Sequence, residues 1–467
     1  MRPAAVADQR LVVGAGPDGL VVAGPQQAVL VLGPPRSGKT SALVVPNVLA
    51  AWGPVLSTST KPDVLAATAA ARLGRGRCWL YDPTGTVPVP AGFTPLRWSP
   101  VIGAGRWDGA LLLARVLVGA ARPAAGTTDA THWTERAEAL LAPLLHAAAL
   151  EGEDAAALLG WVNRRDGRAA ARLLGPGTAS DLLAGILATE ARELSSIWST
   201  ASGVLAAYRS DAALASAAAP NFDPRAFVAS GDTVYVCAAG RHQDLVGPLV
   251  AGLIEAVRAA AFDRAAARLT GSEREVVPSA WARTEPPVLL ALDEVANVAP
   301  LPDLPALVSE GGGQGVLTLA CFQDLSQARR RWGTVADGFG SLFGATVVLP
   351  GVGDVRTLEA ISVLCGSEDV WVRSESDGGR GRSHTWSTRR QRRLDPDQVA
   401  RGRPGHGLLL GGGRAPAWTP LTPWWALPPP HVALPAAPPG PELALPAGRA
   451  ERVDRGVERG RDVGRSR

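Results

Sequence analysis

The sequence predicts an α/β protein with a mainly parallel sheet and an inserted all-helical domain. Short apolar runs such as 28–32 and 288–292 have the length of buried strands, and helical patterns separate several of them. Between residues 105 and 221 this alternation stops, because leucines recur at helical spacing and strand-like runs are nearly absent. Hydrophobic residues make up 46% of the 467 residues and charged residues 19%, which is enough apolar content to bury a large core.

Four segments follow from this pattern. Residues 1–104 contain a β-hairpin near 11–22 and the first strands of the core. The helical insertion spans 105–221, and the remaining strands of the core lie in 222–422. Residues 423–467 form a Pro- and Arg-rich tail that we expect to be disordered. The strands expected in the core are 28–32, 55–56, 78–81, 233–237, 288–292, 316–321, 346–349 and 407–410.

The most specific motif is the P-loop pattern G-x-x-x-x-G-K-[ST], matched by Gly33, Pro34, Pro35, Arg36, Ser37, Gly38, Lys39 and Thr40. It follows a strand and opens a helical run, Ser41–Leu49, that we expect to end or kink near Pro46. Backbone N–H groups of such a loop, together with the helix N-terminus, bind phosphate oxygens. We expect Lys39 to reach the β- and γ-phosphates of ATP, Thr40 to ligate Mg²⁺, and Ser41 to complete the nucleotide site.

Lysine usage supports this interpretation. Of the 47 basic residues only Lys39 and Lys61 are lysines, and all others are arginine. In a chain that replaces lysine by arginine almost everywhere, a retained lysine indicates a need for the compact ammonium group. Chance survival is the alternative, and for Lys39 the P-loop context decides against it.

An acidic pair follows a second apolar strand. Strand 288–292 leads into Asp293 and Glu294, an arrangement in which the aspartate holds Mg²⁺ through water and the glutamate polarises the attacking water. The next strand, 316–321, is followed by Gln323, whose amide is placed to sense a γ-phosphate. Alternatively, Asp293 and Glu294 are solvated acids at an ordinary strand end, and Gln323 caps the end of its strand. The acidic pair predicts ATP hydrolysis rather than nucleotide sensing alone.

Two other patterns point to different functions and are rejected. Residues 14–19 satisfy G-x-G-x-x-G, but residues 20–22 continue as a strand instead of opening a helix, so we expect a hairpin turn. Residues 60–63 resemble the [NT]-K-x-D guanine-specificity box of GTPases, but they precede the acidic strand, whereas that box should follow it. The sequence therefore predicts neither a dinucleotide site nor a GTPase.

Composition excludes further classes. The cysteines form no C-x-x-C pair and lie in or beside apolar runs, which predicts buried, reduced thiols in a cytoplasmic protein rather than disulfides or a zinc site. No signal-peptide pattern and no apolar run long enough for a membrane-spanning helix is evident. The formal net charge of +4 does not by itself indicate nucleic-acid binding. The four cysteines are Cys78, Cys237, Cys321 and Cys365.

The ordered set of motifs resembles the type IV coupling proteins (TraG/TraD type) of conjugation and type IV secretion, notably soluble-looking actinobacterial members. The resemblance covers residues 10–420. It implies a RecA-like motor domain and assembly of the chain into a homo-hexamer. It also implies that the motor pumps single-stranded DNA, with its bound relaxase, to a secretion channel. The segments that carry it are the P-loop followed by Val45-Pro46-Asn47, then Thr58–Lys61, Asp82–Gly85, Asp293–Ala296, Gln323–Gln327 and Arg393–Asp397.

Two features depart from that family. Its members usually begin with transmembrane helices, and none is expected here, so we expect a cytoplasmic protein, peripheral at the inner face of the membrane, that docks through a partner. Many members carry an arginine shortly before the Gln323 strand, where this chain has Gly311–Gly315. The arginine finger therefore stays unassigned, with Arg329–Arg331, Arg356 and Arg414 as candidates.

Two alternative functions stay open at this point. One is an ATP-gated receptor that recruits secreted proteins without moving DNA. The other is a double-stranded DNA pump of the FtsK type, which shares the same core. DNA-stimulated hydrolysis separates the motors from the receptor, and strand preference separates the two motors.

Overall fold

The computed structural model describes residues 10–16, 19–121, 128–238, 243–269, 286–378, 381–411 and 413–427. Of the tail predicted to be disordered, residues 428–467 lie outside the described residues. The strands are β1 (Val12–Gly16), β2 (Gly19–Val22), β3 (Val29–Leu32), β4 (Val55–Ser59), β5 (Cys78–Tyr81), β6 (Phe93–Pro95), β7 (Thr233–Cys237), β8 (Val288–Leu292), β9 (Val316–Phe322), β10 (Ala345–Val348), β11 (Ser367–Gly378), β12 (Gly381–Arg392), β13 (His406–Gly411) and β14 (Ala417–Pro420).

Helices connect most of these strands. They are α1 (Thr40–Ala50), α2 (Asp63–Leu73), α3 (Pro100–Gly103), α4 (Trp107–Ala121), α5 (Thr128–Glu151), α6 (Ala155–Arg164), α7 (Gly167–Leu173), α8 (Thr178–Leu187), α9 (Ala191–Val204), α10 (Asp211–Ala217), α11 (Pro224–Val228), α12 (Gln243–Leu269), α13 (Val295–Val298), α14 (Leu304–Glu310), α15 (Leu325–Trp332), α16 (Phe339–Leu342), α17 (Val355–Cys365) and α18 (Pro396–Arg401). Helices α3 to α11 follow one another between β6 and β7 without an intervening described strand.

The central sheet has ten strands in the order β14-β13-β10-β3-β9-β8-β4-β7-β5-β6. All pairs from β10 to β6 are parallel, and β13 and β14 extend the β10 edge with antiparallel pairs. Such parallel sheets are buried on both faces, which is why their strands are continuous apolar runs. The predicted α/β fold with a mainly parallel sheet is confirmed.

Each face of the sheet has its own hydrophobic core. Alternate residues of β3 divide between them, with Val29 and Val31 in one cluster and Leu30 and Leu32 in the other. The first cluster includes α1 and α2, and the second includes α12 and the helices between β6 and β7. The four cysteines are buried free thiols, as predicted.

One described segment, Leu245–Arg268 of α12, is long and apolar enough to cross a membrane. However, 72% of its most apolar window is buried inside the protein. Leu249, Leu253 and Ile254 are fully or almost fully buried in the same core as the helices between β6 and β7. We therefore interpret α12 as a core helix.

Arg72 anchors α2 to the edge of the sheet where the strands begin. Its side chain is fully buried and donates to the carbonyl of Ala51 at 2.5 Å, the carbonyl of Gly53 at 2.8 Å and Oγ1 of Thr233 at 2.6 Å. Burial lowers the pKa of Arg72 to about 10, with the neighbouring Arg75 acting in the same direction. The guanidinium thus satisfies carbonyls next to β4 and a side chain of β7.

Two hairpins lie outside the central sheet. β1 and β2 pair antiparallel, which confirms the hairpin predicted for residues 11–22 and excludes a dinucleotide fingerprint there. β11 and β12 form a longer hairpin, paired from Ser367 opposite Arg392 to Gly378 opposite Gly381. This hairpin was missed in the sequence because its strands are polar and lack the apolar runs used to find the others. β6 and β14 were also missed, and both are short strands at the sheet edges.

Candidate nucleotide-binding site

Three strand ends meet at one edge of the central sheet. The P-loop follows β3, Asp293 and Glu294 follow β8, and Gln323 follows β9. β9 lies between β3 and β8 and pairs with both in parallel. Because the carboxyl ends of parallel strands share one edge, the predicted site residues lie together, and such edges are where α/β proteins bind ligands.

The first position of the P-loop leaves no room for a side chain unless its neighbours shift. The N–H of Gly33 donates to the carbonyl of Phe322 at 3.1 Å. A Cβ at Gly33 would lie 2.7 Å from Oγ of Ser37 and 2.9 Å from Cβ of Leu349, closer than side chains approach. Further along, Gly38 has φ of +98° and Arg36 has φ of +64°, so the loop also holds a non-glycine residue in the left-handed region.

Lys39 is buried at the start of the helix that follows the loop. Its side chain is 6% exposed, and Nζ donates to the carbonyls of Gly33 at 2.5 Å and Pro34 at 3.1 Å. The ammonium group therefore lies across the loop on backbone carbonyls rather than on a carboxylate. Ser41, the last predicted nucleotide-binding residue, donates from Oγ to the carbonyl of Gly38 at 3.3 Å.

Thr40 and Asp293 are in direct contact although 253 residues separate them in the chain. Oγ1 of Thr40 donates to Oδ2 of Asp293 at 2.8 Å, while Oδ1 of Asp293 is buried with no hydrogen-bond partner in the described structure. Burial raises the pKa of Asp293 to about 6, and Glu294 adds to the increase, whereas the hydrogen bond from Thr40 and the charge of Lys39 oppose it. A hydroxyl beside a buried, incompletely satisfied carboxylate fits a Mg²⁺ site that shares its coordination with phosphates and water.

Glu294 adopts a strained backbone conformation beside the sensor candidate. Its φ of +54° lies in the left-handed region, which costs a non-glycine residue about 1 kcal/mol or more and recurs at functional sites. Nε2 of Gln323 donates to Oε2 of Glu294 at 3.4 Å, a long hydrogen bond. The N–H of Gln323 donates to Oε1 of Gln327 at 3.1 Å. Gln327 was given no role from the sequence, and its position one helical turn after Gln323 is the signal that could have found it.

The helix after the P-loop does not end at Pro46. Thr40–Val44 is π-helical, with the N–H of Val45 bonded to the carbonyl of Thr40, and the helix then continues to Ala50. Pro46 stands early in this α-helical part, where its missing N–H is tolerated. The predicted helical run is therefore present; of the two alternatives, an end or a kink near Pro46, the end is excluded, and the winding changes just before the proline.

Asn47 has a structural role that sequence reasoning missed. Its side chain is fully buried; it accepts from the N–H of Val12 at 2.9 Å and donates to the carbonyls of Val12 and Leu43 at 2.8 Å each. Asn47 thus joins strand β1 to the P-loop helix.

The segment that resembles a GTPase box is part of a turn. Oγ of Ser59 donates to Oδ1 of Asp63 at 3.2 Å and accepts from the N–H of Lys61 at 3.2 Å. Asp63 also accepts from the N–H of Val64 in the first turn of α2, and Lys61 is exposed. These contacts account for the segment without a guanine base.

Three of the arginine-finger candidates are engaged within their own chain. Arg329 forms ion pairs with Asp354 and, at 3.7 Å, with Asp337. Arg356 pairs with Asp337 at 2.5 Å, so the four side chains form one network between α15 and α17. Arg331 is bound to backbone carbonyls of α4.

The remaining two candidates, Arg330 and Arg414, are exposed. Within the part of the chain that the structure describes, neither side chain has a hydrogen bond or an ion pair. Gly311–Gln314, in the stretch where the resemblance implies an arginine, forms a turn of 3₁₀ helix before β9, at the opposite end of that strand from Gln323.

Comparison with known proteins identifies related families over both halves of the core. The family described as "Type IV secretory system Conjugative DNA transfer" matches residues 3–156. The family described as "TraM recognition site of TraD and TraG" matches residues 287–402. No curated protein sequence matches the chain significantly.

Solved structures share the fold. The unbound bacterial conjugative coupling protein TrwBdeltaN70 aligns with a TM-score of 0.65 at 19% identity, covering 88% of each chain. TrwB in complex with the non-hydrolysable ATP analogue ADPNP aligns with a TM-score of 0.62 at 19% identity, over 85% of this chain and 86% of that one. TrwB with ADP and Mg²⁺ aligns with a TM-score of 0.60 at 19% identity, over 85% of each chain. At this identity the likeness establishes a common fold.

Proposed function

Because the chain belongs to the type IV coupling protein family, we propose that it is a Mg²⁺-dependent ATPase that drives DNA transfer to a conjugation or type IV secretion channel. The observation that carries the proposal is the contact between Thr40 and Asp293 at the P-loop, with Glu294 and Gln323 beside it. The complexes of TrwB with ADPNP and with ADP and Mg²⁺ support ATP and Mg²⁺ as the ligands of this fold.

Nucleotide binding uses groups that are already in place. The N–H groups of residues 36–41, at the N-terminus of α1, would hold phosphate oxygens, and Lys39 would exchange its carbonyl partners for the β- and γ-phosphates. Thr40 directly and Asp293 through water would hold Mg²⁺, which would offset the charge of the phosphates. Among the described residues the ammonium is bonded to carbonyls and to no carboxylate, so the exchange breaks no ion pair.

Hydrolysis requires a positioned water and a proton acceptor. The carboxylate of Glu294 orients the water and accepts its proton as the water oxygen attacks the γ-phosphorus and the bond to the β-phosphate oxygen breaks. Gln323, 3.4 Å from Glu294, contacts the γ-phosphate and changes its contacts when the phosphate leaves. In this proposal the base and the sensor form one hydrogen-bonded pair.

The partners follow from the family. The substrate is single-stranded DNA with a bound relaxase, delivered to secretion-channel proteins by a homo-hexamer. The helical insertion, residues 105–221, selects the substrate or partner, because it contributes no P-loop or acidic-strand residue. Of the five arginine-finger candidates, Arg330 and Arg414 are the two whose side chains have no partner among the described residues, and we assign the finger to one of them. The protein is cytoplasmic and reaches the membrane through another polypeptide. The chain expressed alone should therefore fractionate with soluble proteins. Salt-resistant sedimentation of the chain with membranes, in the absence of any partner, would contradict this localisation.

Steady-state ATP hydrolysis by the full chain tests the proposal directly. Phosphate release is measured with Mg²⁺ alone, with single-stranded oligothymidine and with duplex DNA, using Lys39→Ala as the inactive variant and Lys61→Ala as the matched control. We expect stimulation by the single strand in the wild type and the control. Turnover without any DNA effect would favour the protein-substrate receptor, and stimulation by duplex alone would favour a double-stranded DNA pump.

A further inference from the structure

The hairpin of β11 and β12 is an extended arm on the protein surface. Its strands pair only with each other among the described strands, over 12 residues each, which corresponds to a length of about 40 Å. The described side chains from Trp371 to Glu375 and from Thr385 to Gln391 are exposed. The described part of the arm is therefore accessible to a ligand.

Two tryptophans occupy one face of this arm. Trp371 lies opposite Thr388, and Trp386 lies opposite Arg373, so the strict alternation of a strand places both indoles on the same face, diagonal to each other. Trp371 is 69% exposed and Trp386 is 60% exposed. Large aromatic rings left in water on a polar ribbon form a platform on which a planar ligand can stack.

Basic side chains flank this platform. Arg390 is on the same face, opposite Asp369, and Arg389 is on the other face, opposite Val370. Within the described residues neither arginine forms an ion pair or a side-chain hydrogen bond. On β11, by contrast, Arg373 is paired with Glu375 at 3.0 Å. Among the described residues of the arm, the arginines without an ion pair therefore lie on β12.

The composition of β12 distinguishes between possible occupants. From Arg382 to Arg393 the chain contains no acidic and no aliphatic residue, only Arg, Ser, Thr, His, Gln and Trp. Trp and Arg are also common at protein–protein interfaces, but the buried centre of such an interface is mainly apolar, and β12 has no aliphatic residue to form one. A strand composed of hydrogen-bond donors and aromatic rings instead complements phosphates and bases.

We propose that this face of the arm binds single-stranded DNA, with bases stacked on Trp371 and Trp386 and phosphates bound by Arg390. The inference rests on the proposed function and identifies where the strand contacts the motor. Stacking requires bases that are not already stacked in a duplex, and it tolerates any sequence, as transfer of arbitrary DNA demands.

The arm is joined to the sensor segment by a single helix. β11 begins directly after α17, and α17 is tied at its other end to the residues that follow Gln323. The N–H of Leu325 donates to Oγ1 of Thr357 at 3.1 Å, and Arg329 is paired with Asp354, the cap of α17. A change at Gln323 on phosphate release therefore has a short path to the arm.

Fluorescence anisotropy with a labelled oligothymidine, measured on the full chain over a salt series, tests the proposal. We expect Trp371→Ala and Trp386→Ala each to weaken binding about tenfold, the scale of one base–aromatic stack. Arg390→Ala should lower the slope of log affinity against log salt by about 0.7, the value for one phosphate contact on a single strand. The matched controls are Trp425→Ala and Arg401→Ala, whose side chains are 64% and 74% exposed elsewhere on the surface.

The outcomes separate this inference from the proposed function. Because the two indoles lie in solvent, the variants should melt at the wild-type temperature, which excludes unfolding as the cause. Wild-type affinity in the double tryptophan variant would overturn the arm as the binding site while leaving the DNA motor intact. Loss of self-association in sedimentation velocity, without loss of DNA affinity, would make the arm an interface between copies. A wild-type chain that binds no strand would overturn both.

Discussion

Replacing Glu294 by glutamine is the most informative perturbation of the candidate site. The two side chains have the same shape, and both leave residue 294 in the left-handed region at φ of +54°, so backbone strain is unchanged. The substitution weakens or removes one hydrogen bond, the 3.4 Å bond from Gln323, which is near the limit for such a bond. We therefore expect the free energy of unfolding to change by less than about 1 kcal/mol.

Activity should respond very differently from stability. Removal of the carboxylate that accepts the proton should slow hydrolysis by about 100-fold or more, equivalent to about 2.7 kcal/mol in the activation free energy. ATP binding should persist. The Glu294 carboxylate contributes to the raised pKa of Asp293, so its removal lowers that pKa and leaves Asp293 more readily ionised for Mg²⁺.

Single-turnover hydrolysis and a fluorescent ATP-analogue titration measure the two effects separately. Glu310→Gln is the matched control, since it makes the same chemical change at an exposed position at the end of α14. Turnover by Glu294→Gln within about threefold of the wild type would refute Glu294 as the proton acceptor, because a general base contributes far more.

Glycine at the same position tests the strain. Glu294→Gly removes both the carboxylate and the steric cost of the positive φ, so the protein should become more stable by about 1 kcal/mol while losing turnover. Denaturant unfolding followed by circular dichroism measures this gain. Destabilisation by Glu294→Gly would mean that side-chain contacts, rather than function, maintain the strained conformation.

Three further predictions follow from the structure. Lys39→Arg should abolish turnover, because a planar guanidinium cannot replace an ammonium buried to 6% exposure, whereas Lys61→Arg at an exposed site should retain wild-type rates of phosphate release. Arg72→Met should lower the free energy of unfolding by about 3 kcal/mol in denaturant titrations, because buried carbonyls lose their donors. Arg225→Met, at an exposed position, should change it by under about 0.5 kcal/mol. Equal effects of the two substitutions would contradict the anchoring role of Arg72. Gly33→Ala should weaken ATP-analogue binding in the same titration, because its Cβ meets atoms within 2.9 Å, and unchanged affinity would show that the loop can move aside.

The sequence by itself predicted the fold class and the chemistry-bearing residues. Buried parallel strands are continuous apolar runs, so most strands of the central sheet were found from local pattern alone. The P-loop is likewise a local structure, since its glycines and the following helix lie within a dozen residues. Asp293, Glu294 and Gln323 could be proposed because each ends an apolar strand, and their catalytic roles remain predictions.

The tertiary structure decided which of these residues meet and which arginines are available. Only the insertion of β9 between β3 and β8 brings Gln323 to Glu294, and only the sheet brings Thr40 to Asp293 across 253 residues. Long-range pairing depends on the whole sheet, so no local pattern records it. The β11–β12 arm could not be predicted from an apolar pattern either. Its polar strands are stabilised by pairing with each other rather than by burial. Burial is the property that leaves an apolar signature in a sequence, so these strands carry none.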